Sequence, residues 1–153
     1  FILKPLNGMG GESIYKFDQV TDEEIGVFQS LSKNNTHVML QSFLPEIYDG
    51  DFRILIIHGE VCPIALARIP QEGSFKGNLA AGGKGIAKEI SPQQKNVAKE
   101  IGKILIKNNI AFAGIDMIGN HLTEINVTSP TGAKEIFDQS GVNPIELLFN
   151  KLL

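Results

Sequence analysis

The sequence predicts an α+β fold, in which helices pack against a largely antiparallel sheet. Three strand-like runs, at residues 37–44, 51–58 and 60–68, follow one another with no helical pattern between them. Consecutive strands without a crossover helix are expected to pair antiparallel. The helical patterns stand apart from these runs, which favours helices segregated from the strands over an alternating β–α order. The length of 153 residues suits one domain with a proper core.

The start of the chain is predicted to form two strands and a helix. Residues 1–4 and 13–17 are predicted strands on either side of a glycine-rich turn. Thr21 is expected to cap the helix, because Glu24 stands three residues later and completes a capping box. The helix should end near residue 33. Further along, the pair His58–Gly59 predicts a tight hairpin between two strands.

Residues 70–85 are predicted to form a long, mobile, glycine-rich loop. Apart from Phe75 and Leu79, this segment has almost no large apolar residue. A loop of this length inside a compact domain is uncommon unless it has a function, typically as a lid over a site. We therefore expect it to close over a reaction centre.

The second half of the chain is predicted to alternate between helices and one strand pair. Ser91 and Pro92 are expected to start a helix that runs to about Asn108 and packs one apolar face inward. Residues 111–118 and 122–127 are predicted to pair as a hairpin. Closing helices are predicted at 133–139 and 144–152.

Composition excludes several classes of partner. The 14 Lys and Arg residues are outnumbered by 17 Asp and Glu, and the lysines are scattered, so we expect no nucleic acid partner. No apolar run reaches the ~18 residues of a membrane span, so no membrane partner is expected. The single cysteine, Cys62, cannot form an internal disulfide, and no signal-peptide pattern is recognisable. We therefore expect a cytoplasmic protein.

The strongest chemical signal lies in the predicted hairpin of residues 111–127. Asp116, Glu124 and Asn126 are oxygen-bearing residues among apolar ones. A three-residue loop would pair Asp116 with Glu124 and place all three side chains on one face, whereas a two-residue loop would turn Glu124 to the other face. We predict the three-residue loop and a hard-cation site of the kind that Mg²⁺ uses. Polar residues on the solvated face of a hairpin are the alternative, and for this pattern alone the two interpretations are about even.

Three further features predict the binding of phosphate or carboxylate groups. Lys4 precedes a glycine cluster at 8–11, whose backbone N–H groups can approach a polyphosphate. Arg53 and Arg68 lie within strand-like runs, where an inward-facing arginine is costly unless it meets an anion. Residues 126–132 crowd hydroxyls and amides before a helix start, which suits a carboxylate. A tight turn, an exposed arginine and a simple helix cap are the respective alternatives.

Four segments carry a more specific pattern. They are ILKPLNGMGG at 2–11, LARIP at 66–70, GNLAAGG at 77–83 and LTEINVTSPT at 122–131. Together and in this order they resemble the prokaryotic glutathione synthetases of the ATP-grasp superfamily, over essentially all 153 residues. The resemblance implies an ATP- and Mg²⁺-dependent ligase, with Mn²⁺ as an alternative ion, that joins γ-glutamylcysteine to glycine through an acyl phosphate.

The resemblance also implies roles for individual residues. Residues 41–44 would contact the adenine and Asp51 the ribose. The cofactor-binding residues would be Lys4, Gly8, Gly10, Gly11, Gln41, Leu44, Asp51 and Arg53. The metal ligands would be Asp116, Glu124 and Asn126. The substrate-binding residues would be Arg68, Lys76, Ser129, Thr131 and Glu135, and the catalytic residues Arg68, Asn78 and Gly83.

By the same resemblance, residues 1–153 are one portion of an ATP-grasp domain, without the N-terminal domain and part of the nucleotide-binding subdomain. We expect this portion alone to be inactive and the intact protein to be a homo-oligomer, a tetramer in the family. Phosphorylation by ATP would activate the carboxylate, so no protein nucleophile is needed. Two alternatives stay open: another ATP-grasp carboxylate–amine ligase, which would differ at Arg68 and 129–131, and a nucleotide-binding module without catalysis.

Overall fold

The computed structural model describes residues 1–7, 11–33, 36–79 and 82–152. They fall into two units, Phe1–Pro45 and Glu46–Leu153. Each unit is built around an antiparallel sheet of its own.

The first unit contains a three-stranded sheet and one helix. Its strands are β1 (Ile2–Pro5), β2 (Tyr15–Lys16) and β3 (Val38–Gln41), with β1 in the centre. The helix α1 (Asp22–Leu31) begins as predicted, since Thr21 and Glu24 form the capping box. The strand predicted at 37–44 is shorter than expected, because a 3₁₀ turn at Pro45–Asp49 follows soon after it.

The second unit contains the larger sheet. Its strands are β4 (Asp51–Ile57), β5 (Glu60–Val61), β6 (Ile64–Ile69), β7 (Lys84–Glu89), β8 (Phe112–Ile118) and β9 (His121–Asn126). Five of them lie in the order β7-β6-β4-β8-β9, all antiparallel, and β5 pairs with β4. The predicted antiparallel α+β arrangement is confirmed.

Helices cover both faces of this larger sheet. They are α2 (Pro92–Lys107), α3 (Ala133–Ser140) and α4 (Pro144–Leu152), close to the predicted positions. On one face, Ile54, Ile115 and Met117 pack with Ala98 and Leu105 of α2. On the other face, the core is formed by Leu55, Cys62, Leu66 and Ile136 of α3. Burying alternate strand residues on opposite faces gives β4 and β8 their continuous apolar runs.

Two strand predictions were wrong in detail. The run at 60–68 is interrupted at Cys62–Pro63, because proline has no N–H to donate to a ladder. Strand β7 was missed altogether, since its sequence, Lys-Gly-Ile-Ala-Lys-Glu, has few β-branched or aromatic residues. The His58–Gly59 turn was predicted correctly: both residues have positive φ, 47° and 75°, and Ile57 pairs with Glu60.

The side chain of Gln139 closes the outer edge of β7. Its Nε2 donates to the carbonyl of Gly85 at 3.2 Å, and its Oε1 accepts from the N–H of Ala87 at 2.8 Å. A helical side chain therefore takes the place that a further strand would have at this edge.

Among the described residues, no helix has both the length and the apolar character needed to cross a membrane.

Candidate functional site

Two arginines and two aspartates meet on one face of the larger sheet. Asp51 and Arg53 are two residues apart on β4 and therefore point to the same side. Arg68 of β6 lies opposite Asp51, and Asp116 of β8 lies opposite Arg53. Arg53, Arg68 and Asp116 are buried, with 4–6% of their surface exposed. Arg53 and Arg68 are the only two arginines in the sequence.

Both arginines bind the carboxylate of Asp116. Arg53 forms a bidentate pair, with Nε bonded to Oδ1 and Nη2 to Oδ2, the second at 2.8 Å. Nη2 of Arg68 lies 2.8 Å from Oδ2 of Asp116 and also donates to Oδ2 of Asp51. Nη1 of Arg53 reaches Thr131, at 3.4 Å from its carbonyl and 3.5 Å from its hydroxyl oxygen. The cluster thus joins β4, β6 and β8 to the loop after β9.

The two aspartates have pKa values that move in opposite directions. Burial raises the pKa of Asp51 to about 6, although the charge of Arg68 acts against this rise. Burial also disfavours the charged form of Asp116. Hydrogen bonds and positive charge from Arg53 and Arg68 outweigh burial there, and they hold the pKa of Asp116 below its ordinary value. Asp116 is therefore a firmly ionised carboxylate.

Glycine at position 114 gives Arg53 its room. A Cβ at Gly114 would lie 2.8 Å from Cδ of Arg53 and 2.7 Å from Cβ of Pro130. At Gly132 a Cβ would lie 3.4 Å from Cγ of Arg53, which is an ordinary contact, and glycine is favoured there by its φ of +106°. Any larger residue at 114 would displace the arginine or the loop that holds Thr131.

The hairpin of β8 and β9 has the predicted pairing but a different loop. Ile118 pairs with His121, so the loop has two residues and the prediction of three was wrong. A β-bulge next to Asp116 then restores the register, and Asp116 lies opposite Glu124 as predicted. Thr123 supplies the extra residue, and its hydroxyl donates to the carbonyl of Asp116 at 3.1 Å.

The predicted metal ligands therefore share one face, because Asn126 lies two residues beyond Glu124 and opposite Gly114. Their oxygens differ in availability. Asp116 accepts three N–H groups from the arginines, which leaves about one of four lone-pair sites. Oδ1 of Asn126 accepts from the backbone N–H of Thr128 and Ser129, at 3.2 and 3.3 Å. Glu124 is exposed.

This donor set fits an ion held by a few carboxylate oxygens and completed by other ligands, which is the way that Mg²⁺ is held beside phosphates. Among the described residues, no group of three or more His, Cys, Asp or Glu side chains forms a metal site. The assignment of Asp116, Glu124 and Asn126 as metal ligands stays a prediction.

Part of the predicted lid packs beside the cluster. A Cβ at Gly77 would lie 2.6 Å from the carbonyl oxygen of Arg68 and 3.2 Å from Cβ of Asp51. A Cβ at Gly83 would lie 2.2 Å from the carbonyl oxygen of Gly77, and the N–H of Gly83 donates to the carbonyl of Asn78 at 3.1 Å. Gly77 thus packs against the backbone of Arg68, and Gly83 packs against Gly77 and Asn78. The catalytic roles of Arg68, Asn78 and Gly83 stay predictions. The mobility of the loop stays a prediction.

The other predicted site residues are spread over both units. Ser129 and Thr131 are exposed in the loop after β9, Glu135 is half-buried in the first turn of α3, and Lys76 is half-buried. In the first unit, Lys4, Gln41 and Leu44 are half-buried and Gly11 is buried with φ of +84°. Gly8 and Gly10 lie outside the described residues.

Comparison with known proteins identifies the family. A family model described as prokaryotic glutathione synthetase, ATP-grasp domain, matches residues 1–141. The chain belongs to the prokaryotic glutathione synthetase family. Within this family, the glutathione synthetase of Nitrosomonas europaea is 52% identical over 153 residues, which are 99% of this chain and 48% of that relative. The glutathione synthetase of Escherichia coli O157:H7 is 47% identical over 137 residues, 88% of this chain and 43% of the relative.

The chain spans about half the length of the curated relatives it matches. A solved structure agrees with the fold. The ATP-grasp ligase PsnB, complexed with a phosphomimetic variant of minimal precursor, Mg and ADP, matches with a TM-score of 0.63 at 21% identity, over 99% of this chain and 45% of PsnB. At this level of identity the likeness concerns the fold, and the predicted ATP-grasp fold is confirmed.

Proposed function

We propose that this chain is part of an ATP-dependent ligase that forms glutathione from γ-glutamylcysteine and glycine. The observation that carries the proposal is membership of the glutathione synthetase family along residues 1–141. The buried cluster of Arg53, Arg68 and Asp116 supports it, because a ligase that handles a phosphate and a peptide carboxylate needs fixed positive charge.

The proposed reaction has two steps. The cysteinyl carboxylate of γ-glutamylcysteine attacks the γ-phosphoryl group of ATP, which gives an acyl phosphate and ADP. The amine of glycine then attacks the acyl carbon, so that an amide forms, phosphate leaves and the amine loses its proton. Positioning and charge neutralisation account for most of the catalysis in such transfers.

In this proposal, the residues that serve the nucleotide are Lys4, the glycine cluster, Gln41, Leu44, Asp51 and Arg53. Asp116, Glu124 and Asn126 would hold the divalent ion, which would neutralise charge on the phosphates. Magnesium is the proposed ion, and manganese is an alternative with the same preference for oxygen ligands. Arg53 holds Asp116 in place while it is itself bonded to Thr131.

Arg68, Lys76, Ser129, Thr131 and Glu135 would contact the acid substrate. Asn78 and Gly83 would cover the reaction centre, because an acyl phosphate must be kept from water until the amine attacks. A cytoplasmic location and a tetramer for the intact protein belong to the same proposal.

The experiment measures phosphate release by an intact protein of the relatives' length that carries this sequence. With γ-glutamylcysteine, glycine and Mg·ATP we expect phosphate and glutathione in equal amounts, and neither when the dipeptide is omitted. The same turnover with a different acid or amine, and none with these, would favour another ATP-grasp ligase. Nucleotide binding without any turnover would favour the non-catalytic module.

A further inference from the structure

The side chain of Gln139 holds the strand that follows the proposed lid. The lid, predicted at residues 70–85, leads into β7, and Gln139 bonds to Gly85 and Ala87 near the start of that strand. Gly85 and Ala87 are two residues apart, so the C=O of the first and the N–H of the second both point to the outer edge of the sheet. One amide side chain therefore bonds to both groups that a neighbouring strand would use.

Strand β7 is held by its backbone bonds more than by its side chains. Its residue 85 is glycine, which weakens a strand because it has no side chain to pack. On its inner side, β7 pairs with β6 over six residue pairs, from Ile64 with Glu89 to Ile69 with Lys84. Without Gln139, the outer C=O of Gly85 and N–H of Ala87 would bond to water instead, and the start of β7 would open more easily.

The helix that carries Gln139 is itself firmly placed. Ile136 of α3 is fully buried and packs with Leu55 and Leu66 of the sheet. The helix ends two residues after Gln139, at Gly141, whose N–H donates to the carbonyl of Phe137 at 2.9 Å. Gln139 therefore reaches β7 from the last turn of a helix that is anchored in the core.

The lid has a second attachment of a different kind. Leu79 is half-buried and packs against the apolar cluster that contains Leu66 and Ile136. The N–H of Gly82 donates to the carbonyl of Leu79 at 2.9 Å. A lid that opens must release Leu79, whereas the bonds of Gln139 lie beyond Gly83 and can stay intact. Gln139 thus marks the end of the lid that stays fixed.

We propose that Gln139 is a positioning residue for the ligase reaction, which fixes the end of the lid at β7 and thereby limits the access of water to the acyl phosphate. The reaction in this statement rests on the proposed function. Attack by water would give back the dipeptide carboxylate and release phosphate, so ATP would be consumed without an amide. The role is separate from substrate contact, because Gln139 bonds to the protein backbone.

The first test measures this loss in the intact parent protein. Phosphate release is followed with Mg·ATP and γ-glutamylcysteine but without glycine, so that water is the competing nucleophile. Gln139→Met keeps the length of the side chain and loses both hydrogen bonds, and we expect it to raise this release by about fivefold over wild type. The KM for Mg·ATP should stay within about twofold, because the change is distant from the residues proposed for the nucleotide.

Two further variants show whether the bonds themselves matter. In Gln139→Glu, the carboxylate can accept from Ala87 but cannot donate to Gly85, so its phosphate release should lie between those of wild type and Gln139→Met. Asp138→Asn is the matched control, since Asp138 is the adjacent residue of α3 and pairs with the exposed Lys134. It should behave as wild type. Equal phosphate release by Gln139→Met and Asp138→Asn would overturn the proposal.

A measurement without substrate separates this inference from the proposed function. The amide of Ala87 donates to Gln139, so its hydrogen exchange in the intact protein should be about tenfold faster in Gln139→Met and unchanged in Asp138→Asn. Exchange at Ala87 that ignores the loss of Gln139 would refute the positioning role, whether or not glutathione is formed. Absence of turnover by the wild type would refute the proposed function and leave the exchange result as it stands.

Discussion

The position of Arg53 depends on a few specific contacts. Its three nitrogens join Asp116 of β8 to Thr131 in the loop after β9, and the absence of a side chain at Gly114 makes the space for it. The sequence predicted that an inward arginine would need an anion. It could not predict that the anion is an aspartate of the protein, because strand pairing alone decides which side chains meet.

Replacing Arg53 by lysine should destabilise the protein by about 3 kcal/mol, because Asp116 would stay buried while the bidentate pair is lost. The free energy of unfolding, measured with urea, checks this. Lys103→Gln is the control, since Lys103 and its partner Glu100 are each 70% exposed. It should change stability by no more than about 0.5 kcal/mol. Equal effects of the two substitutions would contradict the buried network.

Asp51 should also affect how stability depends on pH. Its raised pKa, about 6, means that the folded state binds this proton more tightly than the unfolded state. Its contribution to stability is therefore present at low pH and is lost as pH rises through about 6. The stability of Asp51→Asn relative to wild type should increase between about pH 4 and pH 7. Urea unfolding at both ends of this range checks the sign, and a relative stability that falls with pH would contradict it.

At the scale of elements, the hairpin of β8 and β9 shows what a pattern can and cannot decide. The sequence predicted that Asp116 lies opposite Glu124, which is confirmed. It placed the extra residue in the turn, whereas the structure has it in a bulge at Thr123. An extra residue in the turn and an extra residue in the bulge both leave Glu124 on the same face of the sheet as Asp116. The alternation of apolar and polar residues therefore cannot distinguish the two positions.

The loop that leads into β7 gives an element-scale prediction. Alanine at Gly83 would force its Cβ against the carbonyl oxygen of Gly77, so Gly83→Ala should cost about 1–3 kcal/mol of stability. Gly26→Ala in α1 is the matched control: no atom lies within 4 Å of the new Cβ, and the helix should gain up to about 1 kcal/mol. Urea unfolding and helix content by circular dichroism check the pair. A tolerated alanine at 83 would mean that the loop does not pack as described.

At the scale of the whole molecule, the two units differ in how much core they contain. Among the described residues of the first unit, only Ile2 and Leu3 belong to the buried hydrophobic core. The second unit has a core on each face of its sheet. The fold class and the helix positions were predictable, because periodicity and caps are local signals. The order of the strands was not, since it depends on contacts far apart in sequence.

Amide hydrogen exchange should reflect this difference between the units. We expect β4, β6 and β8 to be the best protected strands and β1 to open with a free energy lower by at least about 2 kcal/mol. Hydrogen exchange followed by mass spectrometry at increasing urea concentrations measures the opening free energy of each strand. If β1 were protected as strongly as β8, the first unit would not be the weaker one.

The amide of Gln139 has a consequence for association between copies of the chain. An open strand edge is a template on which another chain can add, and β7 has that edge occupied by a side chain. Strand β9 forms the opposite edge of this sheet. Among the described residues, no side chain occupies the outer backbone edge of β9 in the way that Gln139 occupies that of β7. Unwanted strand addition, and the aggregation that follows from it, should therefore begin at β9.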